Sequence, residues 1–118
     1  MQAVQSYIQS NRDRFLEELL DMLRIPSISA DPAFKAEVSR NADLVAESLR
    51  KAGADNVRVI PTEGHPVVYG EKHVGPDKPT VLVYGHYDVQ PPDPLDLWTS
   101  GPFDPVIRDG NIYARGAS

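Results

Sequence analysis

The stretch Thr80-Val81-Leu82-Val83-Tyr84-Gly85-His86-Tyr87-Asp88-Val89-Gln90-Pro91 runs an apolar segment into a glycine and then into a histidine two residues from an aspartate. Residues 80–84 are apolar nearly throughout, the pattern of a strand covered on both faces inside a sheet, and Gly85 ends it. Ligands and catalytic groups of open α/β sheets collect at the carboxyl ends of strands. Fold class and candidate site are therefore read from the same segment.

Upstream of it the chain reads as helical. Over residues 4–23, Val4, Ile8, Phe15, Leu19 and Met22 recur at helical spacing, interrupted by a polar turn at Asn11 and Arg12. Leu16, Leu20 and Leu23 widen the apolar face, and Ile25-Pro26 stops the helix because proline disfavours helical geometry in the residue before it. A second helix opens with Asp31 as N-cap and Pro32 at the first helical position, and Gly53 caps its end. Phe34, Val38, Ala42, Val45 and Leu49 form its stripe. All these apolar residues are expected to pack in a core.

Short strands follow. Residues 57–60 alternate, with Val57 and Val59 on one face, and residues 66–71 read as the hairpin neighbour or the next strand. Residues 75–79 make a turn. Val106-Ile107 and Asn111-Ile112-Tyr113 flank Asp109-Gly110, the sharpest hairpin signal in the chain. Two helices followed by a mixed sheet make the expected class α/β.

Composition narrows the function. The chain has 118 residues, enough for one domain or part of one, and its 11 prolines fall mostly after residue 60. The net charge of -5, with no run of Lys and Arg, argues against a nucleic-acid partner. With no cysteine, disulfides and thiolate metal sites are excluded, so any metal must be held by imidazole and carboxylate. Residues 1–11 lack the basic and apolar regions of a signal peptide, and no apolar run is long enough to span a bilayer. A cytoplasmic protein without membrane contact is the expectation.

His86 and Asp88 leave an extended backbone on the same side. The Asp88 carboxylate can then approach one ring nitrogen of His86, fix its tautomer and aim the other nitrogen at a metal. On spacing alone the triplet is a weak signal, since a lone histidine at a strand end is more often a structural residue. A zinc site also needs at least three protein ligands.

The run from Val81 to Pro91 resembles the metal-binding strand and loop of the co-catalytic zinc family. That family contains carnosinase-like dipeptidases, glutamate carboxypeptidases, acetylornithine deacetylases and succinyl-diaminopimelate desuccinylases. The likeness continues through Trp98, Pro102-Phe103, Pro105-Val106, Ile107, Asp109-Gly110, Ile112-Tyr113 and Arg115-Gly116-Ala117-Ser118, and upstream to Ile25-Pro26-Ser27-Ile28-Ser29. The tryptophan, the Pro-Phe pair and the Asp-Gly turn match the dipeptidase-like branch best.

The resemblance implies that residues 1–118 are the N-terminal portion of a zinc-peptidase catalytic domain, with the remainder and a lid or dimerisation domain absent. It implies His86 as a ligand of one of two zinc ions and Asp88 as the catalytic-site carboxylate that orients it. In that family an Asp-Asp-Lys-Gly stretch follows the Arg-Gly-Ala-Ser segment and carries the bridging ligand. The implied reaction is hydrolysis of a peptide or N-acyl amino acid substrate, and the chain alone is expected to be inactive.

Other polar residues read as structural. His65 and His73 are expected to be exposed loop histidines, and Trp98 and Phe103 loop anchors rather than a stacking pair. Asp93 and Asp96 read as a solvated turn, and Arg115 as a loop brace or a surface residue. Ser118 lacks the nucleophile elbow of a serine hydrolase. The alternative is a non-catalytic α/β module or half of a split assembly, whose uncovered sheet edge invites a homodimer or other self-association.

Overall fold

The computed structural model describes residues 1–117. Its order is α1 (Gln2–Ser10), α2 (Arg12–Leu23), a 3-10 turn (Pro32–Phe34), α3 (Lys35–Lys51), β1 (Asp55–Ile60), β2 (Val67–Glu71), a second 3-10 turn (Leu95–Leu97), β3 (Val106–Arg108) and β4 (Asn111–Tyr113). The α/β class holds, with the strands arranged as two separate antiparallel pairs, β1-β2 and β3-β4. The chain falls into two compact units, Ile25–Pro91 and a second made of Met1–Arg24 with the residues from Pro92 onward.

The first helical segment is broken where its polar turn falls. Asn11 leaves helical geometry (φ -113, ψ 11), and its side-chain Nδ2 donates to the Tyr7 carbonyl at 2.8 Å. A local side-chain bond of this kind competes with the helical ladder. The expected core stripe is corrected here. Val4, Ile8 and Leu19 are exposed, Phe15 and Met22 are half-buried, and full burial is confined to Leu20 and Leu23.

The unit Ile25–Pro91 holds most of the core: Ile25, Ile28, Val38, Ala42 and Ala46, with Ser27 and Asn41 buried among them. Asp31 accepts from the Ala33 amide at 2.9 Å, so the expected cap is present, over a 3-10 turn that leads into α3. At the other end Gly53 sits at φ +85. Its amide donates to the Arg50 carbonyl and the Ala54 amide to the Leu49 carbonyl, the paired bonds of a Schellman cap.

Helix α3 packs on β1 and β2, which pair from Asp55↔Glu71 to Ile60↔Val67. Gly70 allows the close approach, since a Cβ there would come within 3.2 Å of the Leu49 side chain. In the other unit the Asp109-Gly110 turn has both residues at positive φ (50 and 77), as a type I′ hairpin requires, and joins β3 to β4 in the expected register.

The apolar run 80–84 departs from expectation. It forms no strand among the described residues, and Val81, Leu82, Val83 and Tyr84 are 80%, 91%, 86% and 90% exposed. A strand is buried only by neighbours that pair with it and cover its faces, and no described segment does either.

Candidate functional site: the His86–Asp88 loop and its anchors

The loop 86–89 is held by the segment that follows α2. Val89 forms a parallel bridge with Ile28, and its amide donates to the Ser27 carbonyl at 2.9 Å. The Ser27 hydroxyl donates to the Tyr87 carbonyl at 2.8 Å. Asn41, on the buried face of α3, donates from Nδ2 to Ser27 Oγ at 3.0 Å and to the same Tyr87 carbonyl at 2.6 Å. The Tyr87 hydroxyl donates to the Pro66 carbonyl. Ser27, Ile28, Asn41 and Pro66, from three segments, thus hold the residues on either side of Asp88. Burial of Ser27 and Asn41, each 1% exposed, keeps water from competing for these bonds.

His86 and Asp88 come together as their spacing predicts. His86 Nδ1 lies 3.2 Å from Asp88 Oδ1 and 3.0 Å from the Asp88 carbonyl oxygen. Both neighbours are acceptors, so Nδ1 carries hydrogen, and in the neutral ring the Nε2 lone pair is then left for a ligand. The His86 side chain is 76% exposed. The donor set suits one arm of a metal site: an imidazole with one nitrogen held by the carbonyl and carboxylate of Asp88.

The Asp88 carboxyl is held below its ordinary range. The hydrogen bond donated by Ser29 Oγ to Oδ2 at 2.5 Å is the main cause; a backbone hydrogen bond and His86 add to it, and burial opposes it. Burial, followed by the Asp88 charge, raises the Tyr87 phenol. Asp88 is therefore an anion near neutral pH, as an orienting carboxylate has to be. No group of three metal-binding side chains is assembled among the described residues.

His65 is corrected: it is half-buried, and its Nε2 donates to the Ser29 carbonyl at 2.9 Å. His73 is exposed, with Nε2 3.3 Å from Glu71 Oε2. Trp98 anchors its loop by donating from Nε1 to the Pro92 carbonyl at 2.7 Å. The Arg115 guanidinium lies 5.3 Å from the Trp98 ring centre, and the Arg115 amide donates to the Pro102 carbonyl at 2.7 Å. Asp93 and Asp96 are exposed. Ser118 lies outside the described residues.

Sequence reasoning missed Ser27, Ser29, Asn41 and Tyr87 as parts of the site. A signal existed for Asn41, which follows Val38 by three residues and so lies on the apolar stripe of α3, where a polar side chain needs a buried partner.

Known proteins resemble this chain over most of its length. A family model described as peptidase family M20/M25/M40 matches residues 82–118. The Cys-Gly metallodipeptidase of Schizosaccharomyces pombe is 33% identical over 121 residues, covering 94% of this chain and 25% of that protein. The human Beta-Ala-His dipeptidase is 34% identical over 131 residues, 100% of this chain and 26% of that protein. The crystal structure of human carnosine dipeptidase 1 superposes with a TM-score of 0.88 at 32% identity, over 98% of this chain and 26% of that one. The chain thus spans about a quarter of the length of the curated relatives it matches. With fold, loop and family model in agreement, the chain belongs to peptidase family M20/M25/M40.

Proposed function

We propose that residues 1–118 are part of the catalytic domain of a zinc-dependent peptidase of the dipeptidase type, with His86 as a metal ligand and Asp88 as the carboxylate that orients it. One observation carries this: His86 turns Nδ1 to Asp88, and its side chain is 76% exposed, which leaves Nε2 free of that contact. The relatives, a Cys-Gly metallodipeptidase and a Beta-Ala-His dipeptidase, support a metal cofactor and a short peptide substrate. Zinc bound there would polarise the scissile carbonyl and lower the pKa of a bound water. His86 would hold its place in the ligand set through Nε2, Asp88 would keep the ring in the Nδ1–H tautomer, and the Ser27 and Asn41 bonds would prevent the loop from swinging.

Dipeptide hydrolysis by the protein of the complete reading frame, loaded with zinc, tests the proposal. His86→Ala is expected to abolish turnover and Asp88→Ala to reduce it by roughly 10- to 100-fold. Full activity in His86→Ala overturns the assignment. The 118-residue polypeptide assayed alone is expected to turn nothing over, because it supplies one histidine arm where at least three protein ligands are needed. The second reading, a non-catalytic α/β module, draws on the exposed run 80–84, an uncovered surface suited to a protein partner. It predicts no zinc-dependent hydrolysis from the complete protein.

A further inference from the structure

The two oxygens of the Asp88 carboxylate are divided between two partners. Oδ2 accepts from Ser29 Oγ at 2.5 Å, and Oδ1 lies 3.2 Å from His86 Nδ1. A free carboxylate rotates about its Cβ–Cγ bond and offers either oxygen, because this torsion is broad and nearly two-fold. Ser29 removes that freedom. Its hydroxyl hydrogen has a carboxylate to bind, a charge-assisted contact of the strong class. With Oδ2 tied, the ring-facing position is left to Oδ1.

Ser29 is itself held in place. Ile28, its neighbour, is bridged to Val89, and the Ser29 carbonyl accepts from His65 Nε2 at 2.9 Å. The side chain of His65 has its other nitrogen, Nδ1, buried without a partner, so the ring is committed to this one bond. A chain of contacts therefore runs from His65 through Ser29 and Asp88 to His86, inside the unit Ile25–Pro91.

We infer that Ser29 is a positioning residue for the metal site: by binding Oδ2 it turns Oδ1 of Asp88 toward His86 Nδ1, where it joins the Asp88 carbonyl oxygen in favouring the Nδ1–H tautomer before any metal arrives. The inference rests on the reading of His86 as a ligand and goes beyond it, since it concerns a residue that acts through Asp88. A role in stability alone would lower the unfolding midpoint without disturbing the ring. A positioning role shifts the balance between the Nδ1–H and Nε2–H forms of His86 in metal-free protein that is fully folded.

Two readouts on the complete protein test this: the His86 tautomer ratio from imidazole 15N shifts without metal, and zinc affinity by chelator competition. In Ser29→Ala the Nε2–H form is expected to rise, and zinc affinity to fall about tenfold, the lower bound for loss of a ligand-orienting contact. Ser29→Thr keeps the hydroxyl and is expected to restore both. Unchanged tautomer and affinity in folded Ser29→Ala, alongside a large loss in His86→Ala, overturns the role of Ser29 and leaves the metal reading standing. Unchanged affinity in His86→Ala removes the metal reading and this inference with it. Should Ser29→Ala fail to fold, a crystal structure of the unsubstituted protein decides: Ser29 Oγ within hydrogen-bond distance of Oδ2 is the expected result, and a separation beyond it overturns the inference.

Discussion

Asn41 spends both amide hydrogens on the loop that carries Asp88 and its anchor, one on the Tyr87 carbonyl and one on Ser27 Oγ. Truncation to Ala would leave the half-buried Tyr87 carbonyl to the Ser27 hydroxyl and open a hole beside Val38 and Ala42. Loss of a buried hydrogen-bond partner costs about 1–3 kcal/mol, and urea unfolding of Asn41→Ala is expected to show a loss in that range. A different titration is expected at Glu71. Its carboxyl is lowered from 4.5 to about 2, first by the Tyr69 hydroxyl, then by Asn56 and His73. The folded value lies below the unfolded one. The stabilisation is therefore fully present above about pH 4.5 and fades as pH falls toward about 2. Tyr69→Phe is expected to move the Glu71 midpoint up toward 4.5 in a carboxyl-detected NMR titration; an unmoved midpoint refutes the assignment. Spacing in the sequence was enough to pair His86 with Asp88, because two residues along one extended segment share a side. It could not find Ser29, which lies 59 residues from Asp88, and no local periodicity encodes a contact over that distance.

At the scale of elements, α3 and its hairpin are what hold the site. The Asp31 cap, the Gly53 terminus and the Asp109-Gly110 turn were all legible because each is a local rule about one or two residues. The Asn11 break was only half legible: the polar turn was visible, and its effect on the helix needed the side-chain bond to Tyr7. Gly53 tests the cap. At φ +85 a Cβ meets the left-handed penalty of about 1–2 kcal/mol, and Gly53→Ala is expected to lose that much stability in chemical denaturation. Equal stability would mean that the cap relaxes without cost.

For the whole molecule, the least legible feature is the run 80–84. Its sequence is that of a doubly covered strand, yet Val81, Leu82, Val83 and Tyr84 lie open to solvent. Apolar composition specifies that a segment wants burial; it does not supply the neighbours. Four consecutive exposed apolar residues with β-branching are a template for edge pairing. The 118-residue polypeptide is therefore expected to sediment as dimers or larger species, and Val81→Lys with Val83→Lys to shift it toward monomer. A monomeric parent at high concentration would contradict this. Among the described residues no helix is long and apolar enough to cross a membrane.

The parallel bridge between Ile28 and Val89 also has a consequence in time. Ser29 is made 59 residues before Asp88. At a synthesis rate of about 5–20 residues per second, it leaves the ribosome roughly 3–12 s ahead of the loop it holds. Helix α3 and the β1-β2 hairpin can form within that interval, since helices and hairpins close in microseconds. The loop then arrives at a docking surface that is already built. Hydroxyl and amide groups suit such a surface, because water occupies them during the wait and is released when the nascent loop lands.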